Sequence, residues 1–198
     1  MQTKDPLHSE IESKFDANHV DVEGFKSFMT SLKPTRFYHA QGPDTYYVQG
    51  DNVVRHRCEP GLPGTLTVKQ RKSETDISDR VEVDLLMSTD VTSAEVDAFL
   101  KIAGFEYIAT VTKDAHIFWF EYQGVELNVC LYDVEVTNRI GDISTLGRFI
   151  EVEAEKHHNH HPMVEEVMDR WVTMIMGRFE LCDPLQESLF EMACPGRR

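Results

Sequence analysis

Apolar and polar positions along this chain follow two periods. The shorter is a period of two with a charged face. In Glu10-Ile11-Glu12-Ser13-Lys14, an extended backbone puts Glu10, Glu12 and Lys14 on one side. In Gly147-Arg148-Phe149-Ile150-Glu151-Val152-Glu153, Phe149, Glu151 and Glu153 share a face, with Ile150 and Val152 opposite. Between these acidic stretches lie basic ones. Val54-Arg55-His56-Arg57 pairs two guanidiniums, and Leu66 to Arg71 pairs Lys69 with Arg71. Asp79 to Asp84 aligns Arg80, Glu82 and Asp84 against Val81 and Val83. Apolar residues on one face and charges on the other mark strands whose charged side has a task.

The longer period is helical. Val22, Phe25, Phe28, Met29 and Leu32 predict a helix over 20–32, ending before Pro34. Val96, Phe99, Leu100 and Ala103 predict one over 93–103, stopped by Gly104. A third, over 163–178, buries Val164, Val167, Met168, Trp171, Met174 and Ile175. A short fourth spans 185–193. Strands are expected at 8–15, three within 36–71 (turns at 49–52 and 59–64), 77–87, 105–113, 116–123, 125–133 and 147–155. Asp133 then closes its strand, and 133–147 is a loop. The fold class is α+β: a closed antiparallel β-barrel with helices packed outside. Closure removes strand edges and lets charged faces point inward.

Composition narrows the chemistry. With 198 residues the chain is expected to form one domain over 1–198. No apolar run reaches membrane-spanning length and no secretory leader is evident, so neither membrane nor export is expected. Four scattered cysteines without a CxxC pair fit reduced thiols and a cytoplasmic location. A net charge of −14, from 34 acidic and 20 basic residues, argues against binding a nucleic-acid duplex. Basic strands inside so acidic a chain suggest a positive cavity that focuses its field on a small polyanion. Carboxylate oxygens suit Mg²⁺ or Mn²⁺, and Lys and Arg suit phosphate.

These motifs, in this order, resemble the CYTH, or triphosphate tunnel metalloenzyme, superfamily. Its opening ExExK signature stands as Glu10, Glu12 and Lys14. Its Arg-x-Arg strand stands as Arg55 and Arg57, approached by Asp44-Thr45-Tyr46. Its Lys-x-Arg strand stands as Lys69 and Arg71, and its closing strand as Gly147, Phe149, Glu151 and Glu153. The resemblance runs from about residue 8 to about residue 190. One departure stands out: a further Lys-x-Arg pair is represented by Lys113 and Ala115, so that either one phosphate contact is missing or His116 or Arg139 replaces the second cation.

The resemblance implies a metal-dependent triphosphatase acting on tripolyphosphate, a nucleoside triphosphate or thiamine triphosphate. Lys14, Arg55, Arg57, Lys69, Arg71, Arg80 and Lys113 would hold phosphate. Glu10, Glu12, Asp133, Glu151 and Glu153 would hold Mg²⁺ or Mn²⁺. Glu10, Glu12, Lys14 and Glu82 are the catalytic candidates. Arg80 reads equally as a phosphate ligand or the ion-pair partner of Glu82. Two other functions stay open: a class IV adenylate cyclase making cyclic AMP and pyrophosphate, and a non-catalytic binder of a triphosphate or nucleotide. A homodimer is compatible with the chain. The tract His157-His158-Asn159-His160-His161 reads as a polar loop rather than a metal site, because adjacent loop histidines rarely converge on one ion. Phe118, Trp119 and Phe120 read as packing against a helix rather than stacking on a base. The same reading is preferred for Tyr46 and Tyr47.

Overall fold

In the computed structural model of the chain, residues 7–58, 62–71, 79–156 and 163–195 are described; for 7–10, 69–71, 79–82 and 155–156 this covers the backbone alone. The elements are β1 (Leu7–Asp16), α1 (Val22–Ser31), β2 (Arg36–Gln49), β3 (Asn52–Arg57), β4 (Thr65–Arg71) and β5 (Asp79–Leu86). Then come α2 (Ser93–Ile102), β6 (Glu106–Tyr122), β7 (Val125–Asn138), β8 (Ile143–Lys156), α3 (Val164–Phe179) and α4 (Leu189–Ala193). The architecture is α+β, with an antiparallel eight-stranded sheet ordered β1–β5–β4–β3–β2–β6–β7–β8. β1 has a partner on each side. It pairs with β5 from Leu7↔Val83 to Ile11↔Asp79, and with β8 from Ser9↔Lys156 to Asp16↔Phe149.

Two strand assignments change. The strands expected at 105–113 and 116–123 are one, because β6 runs straight through Asp114. Asp114 is a turn former by composition, but β2 offers it side-chain partners: Gln41 Nε2 donates to its carboxylate at 2.8 Å, and His39 contacts it too. The expected loop over 133–147 shrinks to a hairpin turn, with β7 reaching Asn138 and β8 starting at Ile143. The Asn138 side chain shapes that turn, its Oδ1 accepting from the backbone N–H of Ile140 and Asp142, both at 3.0 Å.

The sheet packs its apolar face on the helices. α1 begins where the Asp21 carboxylate accepts from Gly24 N at 2.6 Å, and it buries Phe25 and Met29. These meet Phe15, Phe118, Phe120, Leu127, Val129, Ile150 and Val152, together with Val167, Trp171 and Ile175 of α3. Burying each such side chain contributes about 1.5–3 kcal/mol. α2 carries a Thr92–Glu95 capping box and packs Val96 and Leu100 on Tyr47 and Val54. The helix expected at 185–193 is shorter, because Ser188 caps it and forms a capping box with Glu191. No helix among the described residues is long and apolar enough to cross a membrane.

Candidate functional site

The opposite face of the sheet surrounds a cavity of about 700 Å³. Alternation decides what lines it. β1 contributes Glu12 and Lys14; β3 contributes Arg55 and Arg57; β6 contributes Lys113, Ala115, Ile117 and Trp119. Asn128, Cys130 and Tyr132 come from β7, and Glu151 and Glu153 from β8. Because Phe118 and Phe120 face the helices, Trp119 faces the cavity; the expectation that it packs against a helix is corrected by this parity.

Carboxylates and an ammonium form one wall. Register sets Lys14 opposite Glu151 and Glu12 opposite Glu153. Lys14 Nζ, almost fully buried, lies 3.2 Å from Glu12 Oε1 and 3.1 Å from Glu151 Oε1. The neighbouring Cys130 thiol is pushed up by burial and by Glu151 and Glu153. Burial and Glu151 likewise raise the Tyr132 phenol.

Basic side chains form another wall. Asp44, 2% exposed, accepts from Arg57 Nε at 2.7 Å and Nη2 at 2.8 Å, and Lys113 Nζ is 3.6 Å away. Burial would raise the Asp44 carboxyl, but Arg57, Lys113 and Arg55 overcome it and hold it well below the usual carboxylate range. Burial also lowers the Lys113 ammonium, which Asp44 and Glu151 partly offset. Arg55 Nη2 donates to Thr67 Oγ1 at 3.1 Å, and that hydroxyl donates to Asp84 Oδ1 at 2.7 Å. The Arg55 Nε is buried with no hydrogen-bond partner among the described residues.

The structure thus brings together Glu12, Lys14, Arg55, Arg57, Lys113, Glu151 and Glu153. It does not bring Asp133 to them. Tyr132 faces the cavity, so Asp133 faces away, where Arg148 Nε and Nη2 each hold its carboxylate at 2.9 Å. Ala115 faces the cavity, but His116 points away with His39, and Arg139 binds Tyr107 O and Glu106 at the hairpin. Neither therefore stands in for the second cation. The side chains of Glu10, Lys69, Arg71, Arg80 and Glu82 lie outside the described residues, as does the His157–His161 tract. Among the described residues the four cysteines form no disulfide.

Sequence reasoning passed over Asp44, Thr67, Asn128, Cys130 and Tyr132 as site residues. Two signals were available: Asp44 shares parity with Gly42 and Tyr46, and Thr67 shares parity with Lys69 and Arg71. The segment 188–191 also lines the cavity, with the Phe190 ring tilted against Tyr46 at a centroid distance of 5.4 Å.

No family model and no curated protein matches the chain. Solved structures match its fold. A conserved hypothetical protein of Pyrococcus furiosus gives a TM-score of 0.64 at 19% identity, covering 92% of this chain and 99% of its own. A Pyrococcus horikoshii protein gives 0.63 at 19%, covering 92% and 97%. A chain of the Schizosaccharomyces pombe Mediator head module gives 0.55 at 8%, covering 90% and 97%. Such likeness is one of fold, and one fold hosts many functions, so function rests on the cavity.

Proposed function

We propose that this chain is a divalent-metal-dependent hydrolase of a linear triphosphate, as the superfamily it resembles implies. The observation that carries the reading is the meeting of two walls in one cavity: Glu12, Glu151 and Glu153 on paired strands, and Arg55, Arg57 and Lys113 beyond them. The pairing of β1 with both β5 and β8 supports a sheet closed around the substrate.

Each side chain has a separate task. Arg55, Arg57 and Lys113 neutralise phosphate oxygens, the guanidiniums in bidentate fashion. Thr67 holds Arg55 Nη2 at 3.1 Å and orients that guanidinium. Asp44 takes the Nε/Nη2 edge of Arg57 and fixes the plane of its guanidinium. Lys14 holds Glu12 and Glu151 and adds positive charge on the acidic side. Hydrolysis adds water at the terminal phosphorus, breaks its anhydride P–O bond and releases orthophosphate and the shortened phosphate chain. One carboxylate among Glu12, Glu151 and Glu153 would orient that water and take its proton.

The donor set fits a hard divalent cation. Three carboxylates against one Lys leave excess negative charge, and oxygen ligands suit Mg²⁺ or Mn²⁺. Among the described residues no three His, Cys, Asp or Glu are arranged as a ready cage. Mg²⁺ is usually held by one or two carboxylates, with phosphate and water completing the shell. When bound, it would neutralise charge on the phosphates. One or two of Glu12, Glu151 and Glu153 would hold it.

The test is product analysis after incubation of the protein with Mg²⁺ or Mn²⁺ and tripolyphosphate, thiamine triphosphate, ATP or GTP. Release of orthophosphate is expected. Cyclic AMP with pyrophosphate, or no turnover of any of these substrates, would overturn the hydrolase.

A further inference from the structure

We propose that the Trp119 end of the cavity is a subsite for a planar heterocycle attached to the triphosphate, so that an organic triphosphate is preferred to inorganic tripolyphosphate. The inference rests on the triphosphate reading and adds the substrate class. The cavity lining changes character along β2 and β6. On β6 it passes from Lys113 through Ala115 and Ile117 to Trp119. β2 passes from Asp44 through Gly42 and Ala40 to Tyr38. A polyanion has no use for these apolar and aromatic surfaces, whereas a flat ring gains by stacking on them.

Polar groups at that end are few and specific. The Trp119 indole Nε1–H is buried without a hydrogen-bond partner among the described residues, and an indole can only donate. Asn128 stands opposite Trp119 in the β6–β7 register; its amide, which both donates and accepts, is buried against the same cavity. Asn128 would read the edge of a ring stacked beside the indole. The Arg36 guanidinium lies 4.4 Å over the Trp119 ring and covers one of its faces. Register also carries the row from Trp119 through Asn128 to Glu153 and Glu12, so the subsite adjoins the carboxylates. The volume of about 700 Å³ is that of a pocket for a whole small organic molecule.

The experiment compares affinities by calorimetry, without turnover, for tripolyphosphate, ATP, GTP and thiamine triphosphate. The chain has two tryptophans, so Trp171→Phe leaves Trp119 as a local fluorescent reporter. At least one organic triphosphate is expected to bind about tenfold or more tighter than tripolyphosphate and to change Trp119 emission. Trp119→Ala should erase about tenfold of that preference. Trp119→Phe and Asn128→Ala, milder changes, should each reduce the same ratio. Equal affinities in the unaltered protein, or a ratio untouched by all three variants, would overturn the subsite while tripolyphosphate binding kept the triphosphate reading intact. Failure of every ligand to bind would remove both.

Discussion

Asp44 and Arg57 face each other across β2 and β3 and form a two-pronged ion pair, Nε to Oδ1 at 2.7 Å and Nη2 to Oδ2 at 2.8 Å. The pair sits inside the cavity rather than on the surface, and Lys113 lies 3.6 Å from the same carboxylate. It settles how a buried acid can stand among three cations: the carboxylate is their counter-charge in the absence of substrate.

That pairing has a pH signature. The folded Asp44 carboxyl lies well below its ordinary value, while in an unfolded chain it titrates near about 3.9. Its stabilisation is therefore present above about pH 4 and is lost as pH falls below that toward the lower folded value. Asp44→Asn should lower unfolding free energy at pH 7 by about 2 kcal/mol in urea titrations. The gap to the unaltered protein should narrow as the titrations move below about pH 4.

Arg55→Ala and Arg57→Ala should each weaken triphosphate binding about tenfold or more, the loss of a charge-assisted hydrogen bond or two. Repeating the calorimetry at higher salt should weaken binding by the unaltered protein more than by either variant, since fewer charges remain to be screened.

Glu151→Gln keeps the shape of the side chain and removes its charge. Lys14 retains Glu12 at 3.2 Å, so the fold should hold. Steady-state assays should show kcat down by about 100-fold or more, with a weaker response to added Mg²⁺ or Mn²⁺. Circular dichroism should be unchanged.

Gly147→Ala tests a structural position in the closing motif. Gly147 has φ +126°, and an added Cβ would approach Asn18 Oδ1 at 2.8 Å. Asn18 Oδ1 also accepts from Arg148 N at 3.0 Å, so displacing it disturbs the link that ties the loop after β1 to β8. A loss of about 2 kcal/mol is expected in urea unfolding.

The alternation of charges in the sequence was enough to set Glu12 with Lys14, Arg55 with Arg57 and Glu151 with Glu153 on one face of their own strands, because period two survives any twist of the sheet. It failed where partners lie far along the chain. Asp114 resembles a turn residue until His39 and Gln41 of β2 are seen beside it. Asp133 looked like a metal ligand until its parity with Tyr132 was known and Arg148 was found to hold it. Asp44 carried no local signal of burial; its charge is sustained by Arg57 and by Lys113, far along the chain. Trp119 could not be assigned a face until β6 proved continuous through Asp114.

The most direct measurement is calorimetric titration of tripolyphosphate, with and without Mg²⁺, into the unaltered protein and into the Arg55→Ala, Arg57→Ala double variant. Saturable binding that is strengthened by Mg²⁺ and abolished in a double variant that remains folded is the predicted result. Absence of binding to the unaltered protein, or binding unaffected by loss of both arginines, would contradict the account.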